Sequence, residues 1–198
     1  MFFSSQSNLY LSDPDVQLML AFKQGDKAAF EKLMVKYFPR LLNFIYRFIK
    51  NRELAEDLTQ EVFIKVYHNA SAYHPKAKFK TWLYTIARNI SLNEIRKNRQ
   101  KMVSLDETMS SSQGPMQRQV ADESVQRPDE EILHKEMAAA VQAAINDLPE
   151  NQRTAVLLRR YEQFSYEEIA QTMKTSTKAV KSLLSRAKEK LKDSLKGV

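Results

Sequence analysis

Apolar residues recur every three or four positions along most of the chain, the period of an amphipathic helix. The pattern predicts a first helix that begins at Pro14 and ends near Gly25. A second helix is predicted after Asp26, with Pro39 interrupting its apolar face before the pattern resumes over residues 41–49. These elements indicate an N-terminal helical bundle.

Six further segments have the same period, and no segment alternates apolar and polar residues as a strand does. The predicted helices span residues 52–67, 83–99, 129–147, 150–161, 166–173 and 177–194. The sequence therefore predicts an all-α protein.

The charges divide the chain into three parts, although the whole carries a net charge of +7. Residues 1–103 hold 17 basic and 9 acidic side chains, residues 104–131 hold 2 and 7, and residues 132–198 hold 12 and 8. The acidic middle part contains the run SSSQGP at 110–115 and lacks a periodic apolar pattern, so it cannot bury enough surface to fold alone. We predict a flexible linker between two basic domains; an acidic loop without a role is the alternative.

The absence of cysteine excludes disulfides, thiolate metal sites and cysteine nucleophiles, and it favours the reducing cytoplasm. No apolar run is long enough for membrane insertion, and the N-terminal residues lack the pattern of a signal peptide. His68, His74 and His134 have no metal-ligand spacing, and there is no glycine-rich phosphate loop or nucleophile motif. We therefore predict no cofactor, no metal, no catalytic residue and no enzymatic activity.

The helix at 52–67 carries like charges four residues apart: Glu53 with Asp57, and Asp57 with Glu61. Each such pair costs an isolated helix about 0.2–0.5 kcal/mol. The helix dipole would stabilise Glu53, Glu56 and Asp57 near the N-terminus but explains Glu61 poorly. A positively charged partner and the dipole both remain possible explanations, whereas a catalytic carboxylate pair has little support.

Residues 67–101 interleave aromatic and basic side chains, and the only acid between 76 and 101 is Glu94. Aromatic rings stack on exposed bases and cations neutralise phosphates, so the mixture is typical of a surface that binds single-stranded nucleic acid. The alternative is that the rings, Phe79 and Trp82 above all, belong to the core.

The last two predicted helices form the most specific pattern. Ser165 and Glu168 make a capping box at the start of the first of them. The second presents Lys178, Lys181, Ser182, Ser185, Arg186 and Lys188 on its outer side. This predicts a helix-turn-helix with a cationic recognition helix, and an ordinary helical hairpin is the alternative. Lys174 occupies a turn position that usually takes glycine, at a cost of about 1 kcal/mol if it is left-handed.

The chain resembles the extracytoplasmic-function (ECF) branch of bacterial sigma factors nearly throughout, from Asp26 to Leu195, and four stretches carry the resemblance. The first three are residues 25–30 (GDKAAF), 55–63 (AEDLTQEVF) and 79–89 (FKTWLYTIARN). The fourth runs from Leu148 and Pro149 through 166–170 (YEEIA) to 181–187 (KSLLSRA). The resemblance implies sigma region 2 over 1–103, a linker over 104–131 and sigma region 4 over 132–198.

The resemblance also implies three sets of site residues. Contacts to the β′ subunit of core RNA polymerase fall on Glu56, Asp57, Gln60 and Glu61. The base-capturing loop of the −10 contact falls at 72–80, and Trp82 becomes a core residue. The contacts to the −10 element fall on Tyr73, His74, Lys76, Lys78, Lys80, Arg88, Asn89, Asn93 and Arg96. Contacts to the −35 element fall on Lys178, Lys181, Ser182, Ser185, Arg186 and Lys188.

By this resemblance the partners are core RNA polymerase (β′ and β subunits), promoter DNA and an anti-sigma factor, and the free protein is a monomer. Negative charge at Asp106, Glu107, Asp122 and Glu123 would mimic nucleic acid along the RNA path. The rival functions are an adaptor that sequesters an anti-sigma factor and a free-standing helix-turn-helix repressor. Lys181 and Arg186 disfavour the adaptor, and the lack of a heptad dimerisation helix disfavours the repressor.

Overall fold

The computed structural model describes the backbone of residues 10–106 and 128–196 and the side chains of residues 10–100 and 136–196. Within these ranges the chain is helical, with no strand. The helices are α1 (Pro14–Lys23), α2 (Lys27–Ile49), α3 (Arg52–His68), α4 (Phe79–Asp106), α5 (Pro128–Asn146), α6 (Glu150–Arg160), α7 (Tyr166–Met173) and α8 (Thr177–Ser194). The all-α prediction is confirmed.

The first three helices begin where a short polar side chain can satisfy free backbone N–H groups. Asp13, Asp26 and Asn51 accept such bonds at the starts of α1, α2 and α3. The carboxylate of Asp15 is largely buried, and it accepts hydrogen bonds of 2.6 Å from Lys36 Nζ and from the Tyr37 hydroxyl. This contact ties α1 to the middle of α2.

Helix α2 runs without a break through Pro39, so the predicted interruption there is wrong. Proline removes one N–H donor and crowds the carbonyl four residues earlier, at a cost of about 3 kcal/mol in a helix interior. Tyr37 and Leu41, on either side of it, are 3% and 0% exposed. Burial of both flanks in the hydrophobic core offsets the local cost and keeps the helix continuous.

Helix α4 is longer than the predicted 83–99 at both ends. It begins at Phe79, whose ring is completely buried and holds the first turn against the core. It continues to Asp106, into the predicted linker, and α5 begins at Pro128. The domain limits remain predictions, and Glu107, Asp122 and Glu123 lie outside the described residues.

The hydrophobic core extends through both halves of the described chain. Helices α1 to α4 pack on one another, α6, α7 and α8 form a second cluster, and α4 also packs against α7. Phe79 lies in this core, and the partly buried Trp82 packs against it, 5.9 Å from the Phe79 ring centroid. None of the described helices combines the length and the low polarity needed to cross a bilayer.

The helix-turn-helix has the local structure that the sequence predicts. The Ser165 side chain accepts a hydrogen bond from the Glu168 N–H, and the Glu168 carboxylate accepts one from the Ser165 N–H. Helix α7 ends at Lys174, which has a left-handed backbone with φ 52° and ψ 50°. Ser176 then caps α8 through the Ala179 N–H.

Replacement of Lys174 by glycine tests the strain in this turn. We expect Lys174→Gly to raise the free energy of unfolding by about 0.5–1 kcal/mol, because glycine has no Cβ to clash in a left-handed conformation. Urea denaturation followed by far-UV circular dichroism measures the change. Lys190→Gly, at an exposed position within α8, is the matched control and should lose about 1 kcal/mol. Equal losses in the two variants would contradict the strain.

Candidate protein and nucleic-acid interfaces

The acidic side chains of α3 are partly neutralised within the helix itself. Arg52 Nε lies 2.7 Å from Glu56 Oε1, and Lys65 Nζ lies 2.8 Å from Glu61 Oε1. Asp57 is exposed and has no ion-pair partner among the described residues. Glu53, one turn earlier, is also exposed and without such a partner among the described residues, so α3 keeps two uncompensated negative charges, and Asp57 lies between the paired Glu56 and Glu61.

An apolar groove adjoins this acidic stripe. It has a volume of about 390 Å³ and lies between α2 and α3, where Gln60, Ile64 and Tyr67 form part of its lining. Ile64 is 55% and Tyr67 51% exposed, which is unusual for large apolar side chains. Sequence reasoning did not single out this groove, because Ile64 and Tyr67 fit the general apolar content of the helix.

The residues predicted to contact the −10 element lie in the loop before α4 and along α4 as far as Arg96. His74, Lys76, Lys78, Asn89, Asn93 and Arg96 are exposed, whereas Lys80 and Arg88 are half-buried. Tyr73 differs: it is 3% exposed, and its ring centroid lies 4.9 Å from that of Trp82. The assignment of Tyr73 to a base-stacking surface is therefore not supported, because its ring belongs to the core.

Four cations of this set lie against the C-terminal half of the chain. Lys78 Nζ and Lys80 Nζ are 3.0 and 3.3 Å from Glu168 Oε1. Arg96 Nη2 lies 3.2 Å from Glu150 Oε1, and Arg88 donates a long bond of 3.3 Å to Asn151. Sequence reasoning missed these contacts, since it assigned Glu168 only to the capping box.

An aromatic contact lies beside these ion pairs. The rings of Tyr84 and Phe164, each 1% exposed, meet with centroids 5.1 Å apart, and Lys80 Nζ lies 4.5 Å from the Phe164 centroid. The Tyr84 hydroxyl donates a hydrogen bond to Glu162. Burial and the charge of Glu162 raise the pKa of Tyr84, so the Tyr84 hydroxyl stays protonated and serves as the hydrogen-bond donor.

Glu162 and Glu168 respond differently to their surroundings. Burial raises the pKa of Glu162 and outweighs its hydrogen bond from Tyr84. Burial also opposes ionisation of Glu168, but the Ser165 N–H and the ammonium groups of Lys78 and Lys80 outweigh it and lower its pKa. Glu168 Oε1 lies close to the lysine ammonium groups but forms no hydrogen bond of good geometry with them. Its attraction to the lysines is therefore mainly between opposite charges.

Positive charges also crowd the junction between α2 and α6. The Arg47 guanidinium lies 3.6 Å from the centroid of Tyr161, and that of Arg153 lies 5.4 Å from the centroid of Phe48. Partial desolvation, together with Arg47 and Arg153, lowers the pKa of Lys50 to about 8 even though Lys50 keeps contact with solvent. The two guanidinium groups therefore disfavour the charged form of Lys50 while they contact the aromatic rings themselves.

The outer face of α8 presents the residues predicted to contact the −35 element. Lys178, Lys181, Ser185, Arg186 and Lys188 are exposed, and Ser182 is half-buried. Arg186 Nη2 donates a 2.8 Å hydrogen bond to Ser182 Oγ one turn earlier, which orients the guanidinium along the helix. Val180 and Ala187 face inward and are completely buried. The structure thus brings the six residues onto a single helix.

A second groove lies between α6 and α8, with a volume of about 820 Å³. Leu184 and Leu191 line its apolar part, and Arg159, Arg160 and Lys192 also line it. Lys188 lines this groove as well, so it lies at the edge of the predicted DNA-binding face. Among the described residues there is no group of three or more His, Cys, Asp or Glu side chains that could hold a metal.

Two family descriptions match the chain. Residues 33–101 match sigma-70 region 2, and residues 138–191 match sigma-70 region 4. The first match contains α3 and most of α4, and the second contains α6, α7 and most of α8.

Curated relatives align with nearly the whole chain. The RNA polymerase sigma-H factor of Pseudomonas aeruginosa is 34% identical over 183 residues, which are 92% of this chain and 94% of that protein. The ECF RNA polymerase sigma factor SigW of Bacillus subtilis is 31% identical over 88% of this chain and 92% of its own length. The ECF sigma-E factor of Escherichia coli K12 is 30% identical over 88% and 91%.

Two solved structures have a similar fold. CnrH in complex with the cytosolic domain of CnrY superposes with a TM-score of 0.66 at 20% identity, covering 92% of this chain and 97% of that one. The sigma factor RpoE of Bartonella quintana, in complex with the anti-sigma factor NepR, superposes with a TM-score of 0.63 at 26% identity, covering 85% and 97%. Together with the two sigma regions and the full-length relatives, this likeness establishes that the chain belongs to the ECF sigma factors of bacterial RNA polymerase.

Proposed function

We propose that this protein binds core RNA polymerase through α3, contacts the −10 element through the start of α4, and reads the −35 element through α8. The observation that carries the proposal is the separation of charge on the described surface. An acidic stripe lies on α3, a cationic set lies on α4 and in the loop before it, and a second, exposed cationic set lies on α8. A subunit that links a protein partner to two DNA segments needs such separate surfaces.

The polymerase contact centres on Asp57. Its exposure and the absence of an ion-pair partner among the described residues leave its charge available to a basic partner helix. Glu56 and Glu61 already pair with Arg52 and Lys65 in surface ion pairs, which are worth about 0–1 kcal/mol each. A cationic partner can displace such weak pairs, so these acids add to the same contact, with Gln60 between them.

The −10 contact combines cations for phosphates with amides for bases. Lys76, Lys78, Lys80, Arg88 and Arg96 supply positive charge. Asn89 and Asn93 are exposed one helical turn apart on α4, where their side chains can donate to and accept from base edges. His74 lies in the loop before α4 and completes the set, while Tyr73 acts through packing rather than stacking on a base.

The −35 contact uses the two kinds of cation on α8 differently. Lys181 and Arg186, with Ser182 and Ser185, contact base edges in the major groove, while Lys178 and Lys188 neutralise phosphates near its rim. Because Arg186 is held by Ser182, its fork is already oriented before DNA arrives.

An anti-sigma factor is a further partner, since RpoE of Bartonella quintana was solved with one. The domains are proposed to span 1–103 and 132–198 with the linker at 104–131. The protein works in the cytoplasm with the polymerase, as a monomer when free, and its role is binding: we assign it no catalytic residue.

Run-off transcription from genomic fragments tests the whole proposal. Transcripts should require both purified core polymerase and this protein. If there are no transcripts but the protein alone binds duplex DNA tightly in a gel shift, the protein is a repressor. If neither activity is found, the sigma-mimicking adaptor becomes the explanation and a protein partner should be sought.

Reversal of charge at Asp57 should remove the polymerase contact. We expect Asp57→Arg to weaken core binding at least about tenfold, because a cation then faces the basic partner surface. Fluorescence anisotropy of the labelled protein titrated with core polymerase measures the affinity. Glu31→Arg makes the same charge change at an exposed position of α2 and should bind as the unmodified protein does. Equal weakening in both variants would contradict a specific role for Asp57.

The two classes of contact on α8 predict different responses to alanine. Lys181→Ala should alter the preferred −35 sequence, with about 1–3 kcal/mol of discrimination lost at a single base pair. Lys178→Ala should weaken all sequences alike and lower the slope of log affinity against log salt by about 1. Holoenzyme binding to a −35 library at several salt concentrations separates these outcomes. A uniform loss of affinity for Lys181→Ala would remove it from the base-reading set.

A further inference from the structure

A polar pocket lies between the C-terminal half of α2 and the turn that follows α6. Its volume is about 340 Å³, near the lower end of the range for small-molecule sites. The residues that line it are Arg40, Asn43 and Arg47 of α2 and Tyr161, Glu162 and Gln163 of the turn. None of them belongs to the three surfaces of the proposed function, which therefore leaves this pocket without a role.

The two arginines of the lining carry positive charge that no ion pair neutralises. Within the part of the chain whose side chains are described, neither Arg40 nor Arg47 pairs with a carboxylate. Positive charge accumulates here, because burial lowers the pKa of Lys50 and repulsion from Arg47 and Arg153 lowers it further. A guanidinium matches a phosphate through paired N–H donors, so two arginines without carboxylate partners favour a phosphate ligand.

Arg47 is already oriented by contacts within the protein. Its guanidinium lies 3.6 Å from the centroid of the Tyr161 ring, and its Nη1 donates a 2.9 Å hydrogen bond to Gln142 Oε1. Because a guanidinium has five N–H donors, most of them remain for a ligand. An arginine that is ordered beforehand loses little rotamer freedom on binding, which favours affinity.

Glu162 adds a hydrogen-bond acceptor beside the arginines. One of its oxygens accepts the hydrogen bond from the Tyr84 hydroxyl, and its side chain is half-buried. A carboxylate can accept about four hydrogen bonds, so Glu162 keeps capacity for donors of a ligand. Burial raises the pKa of Glu162, and donors from a ligand would stabilise the ionised form that burial disfavours.

Two amide side chains complete the polar lining. Asn43 and Gln163 are exposed, and each amide can both donate and accept hydrogen bonds. Gln163 has a left-handed backbone with φ 55°, which is uncommon for a residue with a Cβ. The chain turns there, so that Phe164 enters the core at 1% exposure while Gln163 stays at the pocket. The lining thus combines cations for a phosphate with a carboxylate and amides for a polar ring.

We propose that this pocket binds a guanine nucleotide, with the phosphate on Arg40 and Arg47 and the Watson–Crick edge of the base on Glu162. Guanine carries two adjacent donors, N1–H and the N2 amino group, which a carboxylate accepts together. Adenine presents an acceptor beside its single amino group, so Glu162 favours guanine. The inference goes beyond the proposed function, since it involves neither polymerase nor promoter DNA.

Isothermal titration calorimetry of the full-length protein with GMP tests the pocket, with AMP and inorganic phosphate titrated in parallel. We expect saturable binding of GMP at least about tenfold tighter than that of the other two, because only GMP offers both a phosphate and the paired donors. The two walls of the pocket come from distant parts of the chain. GMP should therefore also raise the melting temperature, by an amount that grows with its concentration.

Two variants separate the phosphate contact from the base contact. Arg40→Gln removes one cation at an exposed position and should weaken GMP binding about tenfold. Arg160→Gln is its matched control, because it makes the same charge change at an exposed position outside the lining, and it should weaken binding less than about twofold. Glu162→Gln keeps an acceptor for the Tyr84 hydroxyl but loses the paired acceptors, so the preference for GMP over AMP should fall below about threefold.

The outcomes that overturn the inference are distinct from those of the transcription experiment. Absence of saturable binding up to millimolar GMP overturns it, and so do equal losses in Arg40→Gln and Arg160→Gln, which would show general attraction of anions. Inorganic phosphate or a short single-stranded DNA of mixed sequence that binds as tightly as GMP also overturns it, because the site would then take phosphates of any source. Polymerase is absent from every titration, so this inference and the proposed function fail or hold separately.

Discussion

The packing of Tyr84 against Phe164 is the contact on which the arrangement of the two halves depends. Both rings are buried from solvent, and they place α7 directly over the start of α4. A buried aromatic pair stabilises a contact through its large apolar area, and its preferred ring geometry also fixes the relative orientation of the two elements that carry the rings. Once α7 is placed there, the ion pairs of Glu168 with Lys78 and Lys80 and the hydrogen bond from Tyr84 to Glu162 can form.

This placement treats the two predicted DNA-binding surfaces differently. The cations of α8 remain exposed, and Arg186 is oriented only by its own helix. Lys78, just before α4, and Arg96, in its second half, lie against carboxylates of the other half. The two surfaces therefore differ in the described structure: the cations of α8 face solvent, whereas Lys78, Lys80 and Arg96 already have carboxylate partners.

The surface of α3 follows a third pattern, in which neutralisation is local. Arg52 and Lys65 pair with acids on their own helix, and Asp57 keeps its charge. The adjoining groove with Ile64 and Tyr67 adds exposed apolar area beside that charge. A partner helix with basic and apolar side chains would find both kinds of contact on this one face, which agrees with the separation of polymerase and DNA surfaces proposed above.

The sequence by itself determined the features that depend on neighbours within a turn or two of the chain. Helical periodicity, the caps at Asp13, Asp26 and Ser165, and the left-handed turn at Lys174 all follow from local sterics and short-range hydrogen bonds. The two sigma regions were recognisable for the same reason, because their motifs consist of short stretches of neighbouring residues in a fixed order.

Only the tertiary structure decided the features that join distant residues. The continuity of α2 through Pro39 and the burial of Tyr73 both depend on packing partners elsewhere in the chain. The second role of Glu168 depends on Lys78, 90 residues earlier, and no spacing in the sequence encodes that meeting. Burial and ion pairing depend on residues that are distant in the sequence. Local patterns therefore predicted which residues carry charge, whereas the fold determined which of those charges remain unpaired.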